Sequence, residues 1–434
     1  MDSRVSSLEG VDPVPRLLKI AVVALAVGVA SIVAWTVFAH NDSPDPAEWR
    51  PTSQPVYTRQ FATSQARFAF SLLHVVREQD PTANTFVSPL SIRYALGMVY
   101  NGAGGATKTA MAAALQLDDP VPTALNIDNV SLVRGLRESG PEVDFSLRNC
   151  LIVDESVRAD HAFRAAYDKY YGWGFVPMDL QAPQSVGWIN NWVRDNTRGR
   201  ITRIVERLDP LDVMVLLNAA YLDAKWDCPF EARTTRPAEF TLLSGEVEAV
   251  QMMRHDHESF PYFENKVARA LSLPYAGERL SMIVVLPHPE LDFGEFCQSF
   301  DANMWEDMAA QMCDQELKVG LPRFTAEQHL DLEPPLTSLG MGVAFGRGDA
   351  EFPSLIDTDL PVWISQARHA ATLRVDEEGT VAAAASMMGA AMGGGGMPAP
   401  TTPFIVDRPF ICGIRDNQTG AILFLGAIVS PEGA

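Results

Sequence analysis

Cysteine is scarce. Five stand in 434 residues, at Cys150, Cys228, Cys297, Cys313 and Cys412, with no C-x-x-C among them. The odd number leaves at least one thiol without a partner in the chain. The spacing suits neither a disulfide framework nor a zinc site, so the five read as free thiols, buried or half-buried. Basic charge is scarce too: 34 Lys and Arg face 54 Asp and Glu, a formal net charge of −20. Charges cancel over the first 39 residues, so the acidic excess falls on the rest. Such a surface repels phosphate backbones and anionic lipid, which argues against a nucleic-acid partner. Catalytic signatures are missing: there is no G-x-S-x-G, no H-E-x-x-H, no phosphate-binding P-loop and no G-x-G-x-x-G after a strand. His255 and His257, in "HDH", have no third ligand in view and read as a solvated loop rather than a metal site. Gly393–Gly396 is followed by no helix start, Lys or Ser/Thr, and so is no phosphate cradle. No cofactor-binding surface stands out, and the chain does not read as an enzyme.

What is present begins with an apolar stretch. Residues 20–39 carry no charge, and about 20 residues at 1.5 Å each span a ~30 Å hydrocarbon core. Arg4, Arg16 and Lys19 precede it, while Asp42, Asp45 and Glu48 follow. That polarity keeps residues 1–19 in the cytoplasm and sends the body outside. The stretch reads as a transmembrane anchor, with a signal peptide cut after "VFA" (37–39) as the open alternative; the body is extracytoplasmic on both. Residues 40–57, with four prolines, form an extended spacer, and the folded body runs over 58–434.

Within the body, Phe61, Phe68, Leu72, Val75 and Val76 share one helical face ahead of Pro81. Ser88-Pro89 fits a helix start, with Ser88 as cap, and residues 186–196 suit another helix. Later the pattern changes. "VMVLLNAAYL" (213–222), "LSMIVVLP" (280–287), "PFICGIR" and "AILFLGAIV" (421–429) are continuous apolar runs that suit strands buried on both faces, the last two joined by the turn "DNQTG". Helices early and strands late give an α+β fold with large central sheets. His369, alone in an apolar run, reads as a hydrogen-bonded core residue.

The oddest stretch is "EEGTVAAAASMMGAAMGGGGMPAP", residues 377–400. No residue between Gly379 and Thr402 is charged. As a strand its two faces are Thr380, Ala382, Ala384, Ser386, Met388 and Ala390, and Val381, Ala383, Ala385, Met387 and Gly389. Every residue is small or uncharged, so either face can be buried, and no proline interrupts before Pro398. The segment can be a central strand, yet it ends in residues suited to an exposed tip. On composition alone a flexible linker competes with that reading.

The frame around it resembles the serpin family. "DEEGTVAAAAS" is similar to that family's hinge, and "FVSPLSIRYALGMVYNGAGGAT", "WINNWVRDNTRGRIT", "LLNAAYLDAKWDCPF", "LPRF" and "RPFICGIRDNQTGAILFLGAIVSP" follow in family order over about 68–431. The resemblance implies an α+β fold of three β-sheets with eight or nine helices, and a reactive loop over about 377–408 that serves as bait. A serine protease, or for some members a cysteine protease, forms its acyl-enzyme on the loop. The freed segment then enters the main sheet, about 14 residues making a strand of ~45 Å, and the protease is held as a covalent complex. The protein would be a monomer of bacterial type, membrane-anchored or secreted.

Residue by residue, the resemblance puts the hinge at Glu377, Glu378, Gly379, Thr380, Ala382, Ala383, Ala384 and Ala385, with Val381 where the family often has an acid. Ser88, Asn218 and His369 match a polar cluster below the opening strands. Trp226, Arg323 and Glu377 match the top of the sheet, with Arg323 paired to Glu377. Family spacing from the hinge puts the scissile bond at Gly393-Gly394, with Met392-Gly393 one residue off; spacing from Arg408 disagrees by five residues, which implies an insertion at the tip. No Lys or Arg lies between Arg374 and Arg408, so an elastase-, chymotrypsin- or subtilisin-like target is expected rather than a trypsin-like one. The alternatives are a non-inhibitory serpin, carrier or chaperone, and a membrane-tethered binding module.

Overall fold

The computed structural model describes residues 59–431 apart from 138–139, 173, 358–359 and 381–400. Among them the apolar periodicities become helices where they have period 3.6 and strands where they run unbroken. Helix α1 (Arg59–Gln79) buries Phe61, Phe68, Leu72 and Val76 and half-buries Val75. Helix α2 (Pro89–Tyr100) is buried along its whole length, Ser91 and Arg93 included. Proline opens α2 as expected, but Ser88 does not cap it with its side chain. The Ser88 hydroxyl donates instead to the carbonyl of Leu423, 2.8 Å away, because burial gives it an acceptor distant in sequence.

Two hydrogen-bonded networks of strands form around these helices. The main sheet has six strands: β2 (Val143–Asp154), β3 (Phe175–Met178), β4 (Met214–Lys225), β10 (Phe324–Asp331), β11 (Gln366–Val375) and β12 (Gly379–Thr380), in the order β10-β11-β12-β4-β2-β3. The second network has β1 (Thr85–Val87), β5 (Arg236–Thr241), β6 (Val247–Glu264), β7 (Ala268–Pro274), β8 (Leu280–Pro287), β9 (Cys313–Pro322), β13 (Thr402–Ile405), β14 (Phe410–Asp416) and β15 (Ile422–Ile428). The 18-residue β6 pairs with β5, β7 and β9 and so fuses smaller sheets into one network. The run read at 213–222 is β4, solvent-exposed only at Lys225 and partly at Asp223. Nine α-helices are present among the described residues, and the architecture is mixed α+β. No helix among the described residues is long and apolar enough to cross a membrane. The candidate anchor at 20–39 and the spacer at 40–57 lie outside the described residues.

Candidate functional site

The site is a wedge in the main sheet. Over its lower part β11 pairs directly with β4 in parallel, from Gln366↔Val215 to Thr372↔Tyr221. Above that the chain leaves β11, turns at Asp376 and comes back as β12. This two-residue strand sits between its neighbours, antiparallel to both, with Thr380 opposite Val375 and Ala224 and Gly379 opposite Lys225.

Each residue of the turn is held. The indole of Trp226 donates to the Asp376 carbonyl at 2.9 Å. The backbone N–H groups of Trp226 and Phe230 donate to the carbonyls of Glu378 and Glu377, at 3.0 and 2.8 Å. Glu377 is buried, and Arg323 grips it with both Nε and Nη2, at 2.6–2.9 Å, while the Thr235 hydroxyl donates to the same carboxylate. Burial pushes the Glu377 carboxyl up, but hydrogen bonds from Arg323 and then Thr235 outweigh it and hold the group below the usual range. Gly379 has φ +154°, and a Cβ there would lie 2.1 Å from the Ala224 carbonyl oxygen, so glycine is required. Thr380 is fully buried, with its hydroxyl 2.6 Å from that of Tyr275, whose ring stacks on Trp226 at 4.6 Å.

Where β11 and β4 still touch, a polar row crosses the sheet. Asn149 on β2, Asn218 on β4 and His369 on β11 stand opposite one another. The Asn218 amide donates to Asn149 Oδ1 and to the carbonyl and hydroxyl of Ser91 on α2, and its Oδ1 meets His369 Nδ1. The backbone N–H of Ser88 donates to His369 Nε2 at 3.1 Å, so Nε2 carries the lone pair and Nδ1 the proton. All these side chains are buried. Burial, helped by His329, pushes the His369 pKa down to about 3, and the ring is neutral.

The structure thus brings Ser88, Asn218 and His369 into one network and Trp226, Arg323 and Glu377 into another. Sequence reasoning missed Ser91 and Asn149 in the first, and Thr235 and Tyr275 in the second. Asn149 carried a signal, a lone amide just before the apolar "CLIV"; the others carried none. The reading of 377–408 as one loop needs correction at both ends, since Gly379–Thr380 is already a strand and Thr402–Ile405 pairs with β9, burying Phe404. Ala382, Ala383, Ala384, Ala385, Met392, Gly393 and Gly394 lie outside the described residues. His255 is not in a solvated loop: it lies on β6, 7% exposed, with its ring between those of Phe230 and Phe260. All five cysteines are free, but Cys313 is exposed rather than buried, because it begins β9 at the rim of its sheet.

Comparison with known proteins gives this geometry a context. The family model "Serpin (serine protease inhibitor)" matches residues 63–431. The leukocyte elastase inhibitor of Equus caballus is 33% identical over 86% of this chain and all of its own length. An uncharacterized serpin-like protein of Thermococcus kodakarensis is 35% identical over 80% of this chain and 81% of its own length. Among solved structures, the thermophilic serpin tengpin in its native state superposes with a TM-score of 0.81 at 28% identity, covering 88% of this chain and 97% of that one. Thyroxine-binding globulin in complex with thyroxine, at 23% identity and a TM-score of 0.77, shares the fold. With a family model over most of its length and relatives above 30% identity matched nearly end to end, the chain belongs to the serpin family.

Proposed function

We propose that this protein inhibits serine proteases by offering residues 381–400 as bait and drawing the cleaved segment into the main sheet. One observation carries the reading: β12 has already begun the insertion, and two independent registers agree on how it would continue. Carried on residue by residue against β11, the antiparallel register brings Gly389 opposite Gln366. Carried on against β4, it brings Gly389 opposite Val215, the residue already facing Gln366. Both registers also put Ser386 between His369 and Asn218. A strand through 381–389 would fill the whole length over which β11 and β4 now pair, and nothing it carries is charged. Each new residue gains hydrogen bonds on two sides and buries apolar surface at about 25 cal/mol per Å². The bond at Met392-Gly393 or Gly393-Gly394 lies just past that length, so cleavage there frees the strand and leaves the acylated protease at its far end.

The bait is small and apolar without Lys or Arg, which fits elastase-, chymotrypsin- or subtilisin-like proteases. The flanking charges of the apolar stretch at 20–39 support an extracytoplasmic body, tethered or released, with 1–19 inside and 58–434 outside. The test is incubation with a protease panel. An elastase-like enzyme should give a complex that survives denaturing electrophoresis, a C-terminal peptide whose mass maps the cut near 392–394, and a large rise in melting temperature of the cleaved inhibitor. Clean hydrolysis with no complex and no rise in melting temperature would refute it.

A further inference from the structure

Strand β6 carries one residue more than its partner. Its pairing with β9 passes from Asp256↔Lys318 to Glu258↔Leu317, which makes His257 the extra residue of a β-bulge. In a regular strand residues three apart face opposite ways; the bulge turns Glu258 to the face of His255. Ring packing records the same turn, since His255 and Phe260, five residues apart, have centroids 5.5 Å apart. The segment between β4 and β5 crosses this face and brings a thiol to it. Cys228 Sγ, a ring nitrogen of His255 and a carboxylate oxygen of Glu258 lie within 4.8 Å of one another.

We propose that Cys228, His255 and Glu258 form a zinc site beside the hinge, with water completing the tetrahedron. Thiolate, imidazole and carboxylate together suit zinc, whereas calcium and magnesium take oxygen ligands. Bond lengths of about 2.0–2.3 Å put tetrahedral ligand atoms ~3.3–3.7 Å apart, a contraction of about an ångström that the exposed Glu258 can make by changing rotamer. His255 has a ring nitrogen to offer. Its Nε2 lies 3.2 Å from the Cys228 carbonyl; donating there leaves Nδ1 with the lone pair, and an N–H held by a backbone carbonyl is the support that metal-bound histidines take. Zinc takes the thiolate, so the Cys228 proton passes to solvent as the sulfur–zinc bond forms.

The site would act on the hinge through one short segment. Cys228 lies between Trp226 and Phe230, whose N–H groups hold the carbonyls of Glu378 and Glu377. An ion fixing Cys228 to β6 stiffens that clamp. The test uses the full chain in a thiol-free reductant. Cobalt(II) should give a saturable thiolate-to-cobalt charge-transfer band that zinc displaces. Cys228→Ser should remove the band, Glu258→Gln should lose at least roughly tenfold in affinity, and Cys313→Ser, at the exposed thiol, should change neither. Zinc should also slow amide exchange at Trp226 and Phe230. A missing band, a band that survives Cys228→Ser, or unchanged exchange on zinc binding overturns the proposal. Should Cys228→Ser fail to fold, unchanged affinity in Glu258→Gln overturns it alone, and none of these readouts depends on protease inhibition.

Discussion

Replacing Thr380 by arginine tests whether the hinge must enter the sheet. Thr380 is wholly buried, and its hydroxyl is hydrogen-bonded to that of Tyr275, itself buried. An arginine there carries an unpaired charge into the sheet, at several kcal/mol. It also orphans the Tyr275 hydroxyl, at about 1–3 kcal/mol. The hinge then stays out, and insertion has to overcome the same cost. Even about 4 kcal/mol slows it roughly a thousandfold. Deacylation of the protease is unaffected, so nearly every acyl-enzyme is hydrolysed before the strand moves, and an inhibitor becomes a substrate. The assay is denaturing electrophoresis after mixing with an elastase-like protease, read as the ratio of covalent complex to cleaved chain. Thr380→Ser keeps the hydroxyl and should stay inhibitory. The cleaved arginine variant should also lack the rise in melting temperature of the cleaved parent. Complex at parental yield from Thr380→Arg would refute the insertion mechanism.

Four further outcomes are expected. Arg323→Ala leaves the buried Glu377 carboxylate with only the Thr235 hydroxyl and a backbone N–H, at about 1–3 kcal/mol; the urea midpoint of the intact protein should fall, and less so in acid, because a carboxyl held low contributes stability that vanishes as pH drops through its folded value. His369 is pushed down to about 3 from an ordinary ~6.5, so its contribution is complete above about pH 6.5 and is lost as pH falls toward 3; a denaturation midpoint that declines from about pH 7 to about pH 5 should flatten in His369→Gln, and an identical slope in the variant would count against the assignment. Ser386→Val should leave the melting temperature of the intact protein unchanged and lower that of the cleaved form, because in the proposed register only insertion would set position 386 between His369 and Asn218; equal melting of the two cleaved forms would disprove the register. Gly393→Arg should confer a stable complex with trypsin, which the parent, with no basic residue between Arg374 and Arg408, should not form; cleavage by trypsin without a complex would move the scissile bond elsewhere.

What the sequence makes legible is what neighbours in the chain decide. The apolar runs at 213–222 and 280–287 become β4 and β8 because an unbroken run has only a doubly covered sheet to go to. The composition of 379–391 is legible for the same reason, since uncharged, mostly small residues state directly that either face can be buried. Ser88 shows where this kind of reading stops: its place before Pro89 is that of a cap, but its hydroxyl serves Leu423 and its N–H serves His369, partners that only the fold supplies. The bulge at His257 is hidden in the same way, because an extra residue exists only relative to a partner strand, and "HDHE" looks regular until β9 is laid beside it. The readiness of the hinge is hidden most deeply. A glycine at 379 is ordinary in a stretch with this composition, and only the Ala224 carbonyl, 2.1 Å from where a Cβ would be, makes it obligatory. On the proposed mechanism, the same close approach sets where insertion would start. Without a side chain, Gly379 lets β4 and the returning chain come together, and each later residue would then find both strand edges already aligned.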